Sequence, residues 1–434
     1  MRLLVKTNIT EVVMNFRILK KWLLNRIQVN NRLKNVCIWY LLFLMVSTRK
    51  HSLDEAARFS GMNKSQFSRF LKNHSELAVY NLHALSKKQA KQFSKILNCL
   101  GKGSVPWRIA LIIDSTIQNR STLHTDNAKK FNHGKGFVIG HQWTNIVLVI
   151  NDMLIPLQPI PFYSKNYCRK NKLKYKTENE SVVEYITNLR LEDYTGPYDP
   201  KDVIVLADSG YDDKKIENAI AKKKWKFIIA LNKTRGVKTQ TQYRNTAKSK
   251  DWNQVGVLFN NCRRIKCQTI RIFTSSSKRK RMEFRIRQII GYLRYVGKVQ
   301  LICSKFKKRP YGRIKYLACN DLKAKPRQIL IGYRMRWAIE TFHKDVKMFL
   351  GFEDVATRSF DSVMAHVHWV YCVYILLHYP PPGVPAHIKS LADKQRRVKA
   401  TIDSKDKARV IQLLTQINGV ERYKNELRAV SQAA

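Results

Sequence analysis

Two aspartates follow strongly apolar segments in different parts of the chain. Asp114 comes after Arg108 to Ile113 (RIALII), and Asp208 comes after Val203 to Ala207 (VIVLA). Each segment predicts a buried strand that ends at its aspartate. Carboxylates at strand ends lie at the rim of an α/β sheet, and their hard oxygens suit Mg²⁺ or Mn²⁺. One such aspartate is equally well explained as the cap of a loop or helix, whereas two favour metal-dependent phosphate chemistry.

A third carboxylate is expected on a helix. The segment Tyr333 to Lys347 (YRMRWAIETFHKDVK) predicts one helix whose apolar side packs on a sheet. At about 100° per residue, four residues fall within a stripe roughly 60° wide; they are Tyr333, Arg336, Glu340 and Lys347, with His343 and Lys344 beside them. Glu340 is thus a carboxylate between cations, although a solvated charged face has the same pattern. Three other acids lie outside the stripe: Asp345, Glu353 and Asp354.

The charge of the chain indicates an anionic partner. Its 434 residues include 81 Lys and Arg against 31 Asp and Glu, for a formal net charge of +50. Such a surface repels itself unless an anion covers it, so nucleic acid is the first candidate partner and an anionic membrane surface the second. The longest apolar run, Val36 to Val46, is much shorter than the roughly 20 residues of a membrane span, and we expect no membrane partner.

The cysteines and histidines favour structural roles. The 8 cysteines are scattered and form no CxxC pair, which favours reduced thiols in a cytoplasmic protein over a disulfide framework or a zinc ribbon. His366 and His368 lie two residues apart in an apolar helical stretch. Packing explains them better than metal ligation.

A second candidate for contact with nucleic acid lies near the N-terminus. Residues 53–72 (LDEAARFSGMNKSQFSRFLK) predict a helix-turn-helix, with Ala57 at the helix crossing, Gly61 in the turn and Asn63 capping the second helix. The apolar face of that helix is Phe67, Phe70 and Leu71, and its outward face is Ser65, Gln66, Ser68 and Arg69. An outward polar face of this kind fits a DNA major groove, whereas an ordinary helical hairpin leaves it in solvent.

The elements around the two aspartates predict a mixed α/β layer. Strands are expected over 108–113, 136–150 and 153–162, then a helix over 178–191, a strand over 203–207, a helix over 213–222 and a strand over 225–231. We therefore expect a helical DNA-binding domain over 1–103 and an α/β core over 104–232 that resumes over 326–380. A basic β-rich insert occupies 233–325, and a helical tail that is a candidate for dimerisation occupies 381–434.

The motifs resemble those of a known family. The spacing Tyr333-x2-Arg336-x3-Glu340-x6-Lys347 is similar to the Tyr-Arg-Glu-Lys motif of bacterial cut-and-paste DDE (Asp-Asp-Glu) transposases of the insertion-sequence-four family. Asp114 in LIIDST and Asp208 in VLADSGYDD resemble the family's two catalytic aspartate regions. The resemblance covers about residues 105–375. Ser209 stands where some relatives carry Arg, and the candidates for a base-stacking aromatic residue are Tyr311 and Trp337.

The resemblance implies a ribonuclease-H-like core in which Asp114, Asp208 and Glu340 bind two Mg²⁺ ions, with Mn²⁺ as a substitute. These ions would activate water and then a DNA 3′-hydroxyl. The implied DNA contacts on the Glu340 helix are Tyr333, Arg336, Trp337, His343, Lys344 and Lys347. The function implied is that of a bacterial cytoplasmic DNA transposase, associated with the nucleoid, that works as a homodimer on double-stranded DNA ends and target. The alternatives are an inactive DNA-binding regulator and a metal-dependent nuclease without strand transfer.

Overall fold

The computed structural model describes residues 18–48, 50–134, 136–246, 251–261, 266–273, 281–307, 314–378 and 390–415, together with 421 and 425. The chain divides into two compact units. Unit 1 combines the residues up to Leu85 with those from Asp345 onward, and unit 2 runs from Ser86 to Lys344. The domain limits expected from the sequence stay a prediction.

Unit 2 is built on one mixed sheet of 13 strands. The first seven strands are β1 (Ile109–Asn119), β2 (Lys129–His133), β3 (Gly136–Ile150), β4 (Met153–Pro156), β5 (Ile160–Pro161), β6 (Val203–Ala207) and β7 (Lys226–Leu231). Strand β6 pairs in parallel with β1 and with β7, because the chain returns through helices between them, and the other pairs of the sheet are antiparallel. This confirms the mixed α/β class and is compatible with a ribonuclease-H-like transposase fold.

The strands of the expected insert continue the same sheet. They are β8 (Gly236–Thr239), β9 (Asn253–Gln254), β10 (Gln268–Phe273), β11 (Arg281–Leu293), β12 (Gly297–Phe306) and β13 (Lys315–Cys319). Strand β13 makes the connection, because it pairs with the edge of β7. The order along the sheet is β2-β3-β1-β6-β7-β13-β12-β11-β8-β9, with β4 and β5 paired to β3 and β10 paired to β11. The hydrogen-bonded ladder therefore runs without a break from the core strands into this region.

Helices flank the sheet of unit 2. Among them, α8 begins with a capping box between Thr177 and Glu180. The helices are α6 (Leu100–Gly103), α7 (Lys165–Lys170), α8 (Glu178–Asn188), α9 (Glu192–Thr195), α10 (Lys214–Lys222), α11 (Gln240–Thr246), α12 (Val255–Asn261), α13 (Pro326–Met335) and the first part of α14 (Trp337–Phe349). Two short 3₁₀ turns, Pro200–Asp202 and Ser209–Tyr211, flank β6.

The strand that carries Asp114 is longer than expected. We predicted that it ends at Asp114, but β1 continues to Asn119 because β3 pairs with it along its whole length. The parallel partner stops earlier, since Ile113 pairs with Ala207 at the end of β6. Asp114 therefore still lies where the parallel part of the sheet ends, and the β1–β3 hairpin extends beyond that rim. A second predicted strand, 153–162, is interrupted and forms β4 and β5.

The helix expected over Tyr333 to Lys347 is two helices. The first, α13, ends at Met335, and α14 starts at Trp337. Around the junction at Arg336, N–H groups bond three residues back: Arg336 to Tyr333, at 3.2 Å, and Ile339 to Arg336, at 3.2 Å. The break leaves the predicted neighbours together, because the Arg336 guanidinium lies 5.8 Å from the centre of the Tyr333 ring and also bonds to Glu340. The apolar side is buried as predicted at Ile339, Phe342 and Val346 but only partly at Met335 and Ala338.

The elements described in unit 1 are helices. They are α1 at residues 18–24, α2 (Lys34–Val46), α3 (Leu53–Ser60), α4 (Lys64–Asn73), the first part of α5 (Ser75–Phe93), the end of α14, α15 (Phe360–His378) and α16 (Leu391–Leu414). Stacking of Phe70 on Trp369, with ring centroids 5.8 Å apart, joins α4 to α15. The predicted boundary between the core and the helical tail, at residues 380 and 381, lies outside the described residues.

The predicted helix-turn-helix geometry is present as α3 and α4. Gly61 ends α3 in the left-handed region at φ 70°, and the Asn63 side chain accepts a hydrogen bond from the Ser65 N–H. Three apolar residues of α4 are buried, namely Phe67, Phe70 and Leu71, while Ser65, Gln66, Ser68 and Arg69 are exposed. The small residue buried at the crossing is Ala56 rather than Ala57, which is half-buried.

Helix α15 is a core helix of unit 1. By length and composition it is the one described helix that meets the criteria for a membrane span, yet 89% of its most apolar window is buried within the fold. Its His366 bonds to the Tyr40 hydroxyl at 2.7 Å and to the Gly351 carbonyl at 2.8 Å, while His368 bonds to the Met364 carbonyl. Both histidines are thus buried and hydrogen-bonded within the core of unit 1, which agrees with the packing role that the sequence suggested.

Gly140 gives a test of the β1–β3 pairing. A Cβ added to Gly140 would lie 2.1 Å from the Gln118 carbonyl oxygen, so the strands would have to separate. We expect Gly140→Ala to lower the free energy of unfolding by about 1–3 kcal/mol in urea titrations. In the same strand, a Cβ at Gly136 meets no atom within 4 Å, and Gly136→Ala is the matched control with no loss. Equal stability of the two variants would contradict this close approach.

Candidate active site

The two aspartates lie side by side at the rim of the parallel strands. Because Ile113 and Ala207 are register partners, the next residues, Asp114 and Asp208, follow at adjacent positions. Each carboxylate is fixed by the amide of the residue after it: Ser115 N–H donates to Asp114 Oδ1 at 3.0 Å, and Ser209 N–H donates to Asp208 Oδ1 at 2.8 Å. The sheet register therefore brings together two residues that are far apart in sequence.

Arg336 joins the third carboxylate to the first. One guanidinium nitrogen, Nη1, donates to Asp114 Oδ2 at 3.1 Å, and the other, Nη2, donates to Glu340 Oε1 at 2.5 Å. The Arg336 residue is 6% exposed, whereas the two carboxylates are partly open to solvent. Charge-assisted bonds of this kind are among the stronger hydrogen bonds in proteins. The guanidinium thus fixes Glu340 beside Asp114.

Asp208 is held by a separate chain of donors. The Tyr333 hydroxyl donates to Asp208 Oδ1 at 3.2 Å, and the Lys315 ammonium of β13 donates to the Tyr333 oxygen at 3.3 Å. The last strand of the insert therefore contributes a cation to the carboxylate cluster. Nothing in the sequence pattern pointed to Lys315.

The carboxylates have different affinities for protons. Burial raises the pKa of Asp114 to about 6, against the opposing effects of Arg336 and of the Ser115 amide; Asp208 and Glu340 add repulsion that raises it further. For Asp208 burial acts in the same direction, but the Ser209 amide, Arg336, Lys315 and Tyr333 outweigh it and lower its pKa. Asp114 is thus the carboxylate of this pair that protonates first as the pH falls.

A buried amide fixes the helix that carries Glu340. Asn145 of β3 is the register partner of Asp114, and its Nδ2 lies 2.8 Å from His343 Nε2. His343 is 8% exposed. It was predicted to contact DNA, but this placement favours a positioning role, because the ring faces β3 one helical turn from Glu340.

A fourth carboxylate lies behind the cluster. Glu178, at the start of α8, accepts hydrogen bonds from the Tyr211 hydroxyl at 2.7 Å, from Thr144 Oγ1 at 2.8 Å and from Gln142 Nε2 at 2.6 Å. The Tyr211 hydroxyl also interacts with Ser115, next to Asp114. Glu178 therefore ties α8 and β3 to the segment that follows Asp208.

The other predicted site residues have different surroundings. Lys347 forms an ion pair with Glu353 at 3.1 Å. Trp337 and Lys344 of α14 are exposed, the former at 65%. Asp354, a rival third carboxylate, bonds to His51. The stacking candidate Tyr311 lies outside the described residues.

Sequence reasoning missed four contributors: Lys315, Asn145, Glu178 and Tyr211. The one visible signal was an asparagine inside the apolar strand segment HQWTNIVLVI, since a buried amide needs a partner. Glu178 and Tyr211 carried no such signal, because each acts through contacts between segments distant in sequence.

The comparison with known families agrees with this geometry. Residues 178–376, just under half of the chain, match the family model described as the transposase DDE domain. The match supports a DDE-type transposase. It includes Asp208 and Glu340, and a transposase domain implies DNA as a partner. No curated protein matches the chain.

The Asn145–His343 contact can be tested by its contribution to stability. Asn145→Ala removes a hydrogen-bond partner of the buried His343 ring, and we expect the free energy of unfolding in urea to fall by about 1–3 kcal/mol. The exposed Asn188 at the end of α8 is the control, where Asn188→Ala changes stability within about 0.5 kcal/mol. In the double variant with His343→Ala the losses should be less than additive. Strict additivity would show that the two side chains do not interact.

Proposed function

We propose that this chain is a DNA transposase that binds the ends of its mobile element, cleaves them with a divalent cation and joins the 3′-hydroxyl ends to target DNA. The observation that carries the proposal is the convergence of Asp114, Asp208 and Glu340 around Arg336 at the rim of the sheet. The match to the transposase DDE domain supports the same conclusion.

The chemistry of the three carboxylates fits a hard divalent cation. All three supply oxygen ligands, as Mg²⁺ and Mn²⁺ prefer. As placed, however, no three acidic, His or Cys side chains among the described residues are close enough to hold one metal ion. Arg336 lies between two of the carboxylates, and its buried Nε finds no hydrogen-bond partner in the described part of the chain. A cation bound by all three carboxylates would therefore neutralise part of the negative charge on Asp114 and Glu340 that Arg336 neutralises now.

When bound, divalent cations would supply Lewis-acid activation at the scissile phosphate. The protein's own residues have three other tasks. Arg336 and Lys315 offset the negative charge of the carboxylates, Tyr333 orients Asp208, and the Asn145–His343 bond fixes α14 so that Glu340 stays at the rim. Loss of this orientation would leave the ligands present but misplaced, which lowers the rate even though each carboxylate remains.

The charge of +50 suits a double-stranded DNA partner, whose phosphates it would neutralise. We propose that Trp337 and Lys344 contact DNA next to the carboxylates, because both are exposed on the helix that carries Glu340. In unit 1 the exposed face of α4, with Ser65, Gln66, Ser68 and Arg69, would read the element ends. The Tyr-Arg-Glu-Lys spacing further suggests a bacterial insertion-sequence-four enzyme, working in the cytoplasm as a homodimer on paired ends.

Cleavage and joining are the decisive measurements. The substrate is a DNA fragment with both flanks of the coding region, incubated with purified protein, MgCl₂ or MnCl₂ and a supercoiled target plasmid. We expect end cleavage that needs the cation, followed by joined products. Asp208→Asn and Glu340→Gln should each reduce cleavage at least about a hundredfold, because even residues that merely orient metal ligands cost 10–100-fold.

The exposed acid Glu184, in the same matched region, provides the control, and Glu184→Gln should cleave at the unaltered rate. Cleavage without joined products would indicate a nuclease. Specific binding of the flanks without any cleavage would indicate a DNA-binding regulator. Cleavage by Glu340→Gln at the unaltered rate would remove Glu340 from the site.

Metal affinity should depend on pH through Asp114. Its pKa is raised by burial to about 6, and a metal ligand must be deprotonated, so protons compete with the cation below that pH. Isothermal titration with MnCl₂ should show affinity that is nearly constant above pH 7 and falls by up to about tenfold per pH unit below pH 6. Asp114→Asn should bind weakly and lose this dependence. Equal affinity of the unaltered chain at pH 5 and pH 7 would contradict the assignment.

A further inference from the structure

A cavity of about 610 Å³ lies in unit 2 between the β1–β2 loop and the segment that follows β5. Its size is within the roughly 300–1,000 Å³ of pockets that hold small ligands. Its walls come from residues 123–130 on one side and from residues of 162–175 on the other. It shares no lining residue with the carboxylate cluster and is therefore a separate feature of unit 2.

The two walls are fixed to each other by one buried asparagine. Asn127 adopts a left-handed conformation, at φ 61°, and its side chain makes two hydrogen bonds across the cavity floor. Its Nδ2 donates to the Phe162 carbonyl at 2.9 Å, and its Oδ1 accepts from the Ser164 N–H at 2.9 Å. Nearby, His141 Nε2 lies 2.9 Å from the Asp126 carbonyl oxygen. The cavity is therefore a built feature of the fold.

The charge of the cavity is positive. Four lysines and a single acid, Asp126, line it, and Asp126 forms an ion pair with Lys170 at 3.7 Å. The other lysines are Lys129, Lys130 and Lys165, and all three are exposed. Two of them lie against aromatic rings: Lys129 Nζ is 5.1 Å from the centre of Phe162, and Lys165 Nζ is 5.4 Å from the centre of Tyr175. Such cations are positioned for an anionic ligand.

The aromatic rings supply a second kind of contact. Phe162 and Tyr175 meet edge to face with centroids 6.3 Å apart, and both rings are partly exposed in the cavity wall. Ammonium groups next to ring faces are the combination that binds single-stranded nucleic acid, where phosphates pair with cations and bases stack on rings. A base within an intact duplex cannot stack in this way, because both its faces are covered by neighbouring bases.

We propose that this cavity binds an unpaired nucleotide of a DNA strand, with its phosphate at Lys129 and Lys165 and its base against Phe162 and Tyr175. The inference rests on the proposed transposase function. The β1–β3 hairpin connects the two places, because Gly140 of β3 pairs with Asn119 of β1 on one side and with Lys129 of the cavity wall on the other. From Asp114 to Asn119 the strand extends about 16 Å at 3.3 Å per residue. A DNA strand that runs along this part of the hairpin covers it with about five nucleotides at a rise of 3.4 Å.

Photo-cross-linking tests the proposal locally, which matters because a chain of this charge binds DNA at many points. The probe is a single-stranded decanucleotide of thymidine with one 5-iodouracil, irradiated with the full chain in EDTA and mapped by mass spectrometry. We expect a cross-link within residues 162–175. In Tyr175→Leu, half-maximal cross-linking should need at least about fivefold more probe, whereas Tyr175→Phe keeps the ring and stays within twofold.

The lysines are tested in a second pair of variants. Lys129→Ala/Lys165→Ala should weaken the same cross-link at least about fivefold, and Lys201→Ala/Lys222→Ala, which removes two exposed lysines of unit 2 outside the cavity, should stay within twofold. Because all four lysines are exposed, we expect both double variants to fold. Equal midpoints of thermal unfolding for the two variants and the unaltered chain would verify this.

Competition experiments distinguish a nucleotide within a DNA strand from a free nucleotide. Unlabelled decanucleotide should abolish the cross-link. Thymidine monophosphate has the same base and phosphate but lacks the neighbouring phosphates that bind the basic surface, so at the same nucleotide concentration it should compete at least about fivefold less well, and the same sequence as duplex should not compete. Displacement by the monophosphate as strong as that by the strand would overturn the proposal in favour of a free-nucleotide site. Equal loss in the two lysine variants, or a cross-link that maps elsewhere, would overturn it as well. Because the cross-linking assay needs no divalent cation, Asp208→Asn should cross-link as well as the unaltered chain. The cross-linking result therefore stands or falls separately from the result of the cleavage assay.

Discussion

The arrangement of the site depends on one guanidinium among three carboxylates. Asp114, Asp208 and Glu340 carry like charges at one rim, and burial adds to the free energy needed to ionise Asp114. Arg336 offsets both effects through bonds to Asp114 and Glu340, and in a partly buried setting each such bond is stronger than in water. Removal of Arg336 would leave two partly buried acids, Asp114 and Glu340, without this counter-charge, which usually destabilises more than the ion pair had contributed.

The surrounding elements place that guanidinium. Arg336 is the junction between α13 and α14, so its position depends on how both helices pack. A Cβ on Gly332 of α13 would lie 2.9 Å from side-chain atoms of both Trp107 and Ile228, which indicates a close approach of this helix to the sheet. On the other side of the junction, His343 bonds to Asn145. The carboxylate cluster is therefore specified by packing at least as much as by charge.

The features that the sequence predicted are those that arise from local patterns. The apolar run before Asp208 and the apolar side of α14 were correctly placed, because burial of a periodic face is encoded within each segment. The break at Arg336 was not predicted, since the segment contains neither Pro nor Gly at that point and the bonds of Arg336 to carboxylates are tertiary. Asn145 needed the register between β1 and β3, which a local pattern does not contain. The pairing of β13 with β7 was hidden for the same reason.

That pairing makes the half of the sheet that carries the two aspartates inseparable from its extension. β7 has the sequence KFIIAL, and its described residues from Phe227 to Leu231 are buried. A shortened chain without 233–325 would expose the edge of β7 that β13 now occupies. A flat apolar edge of this kind recruits strands from other molecules. Attempts to reduce the protein to a minimal core would therefore yield insoluble aggregates unless β13 is retained or the edge of β7 is given charged side chains.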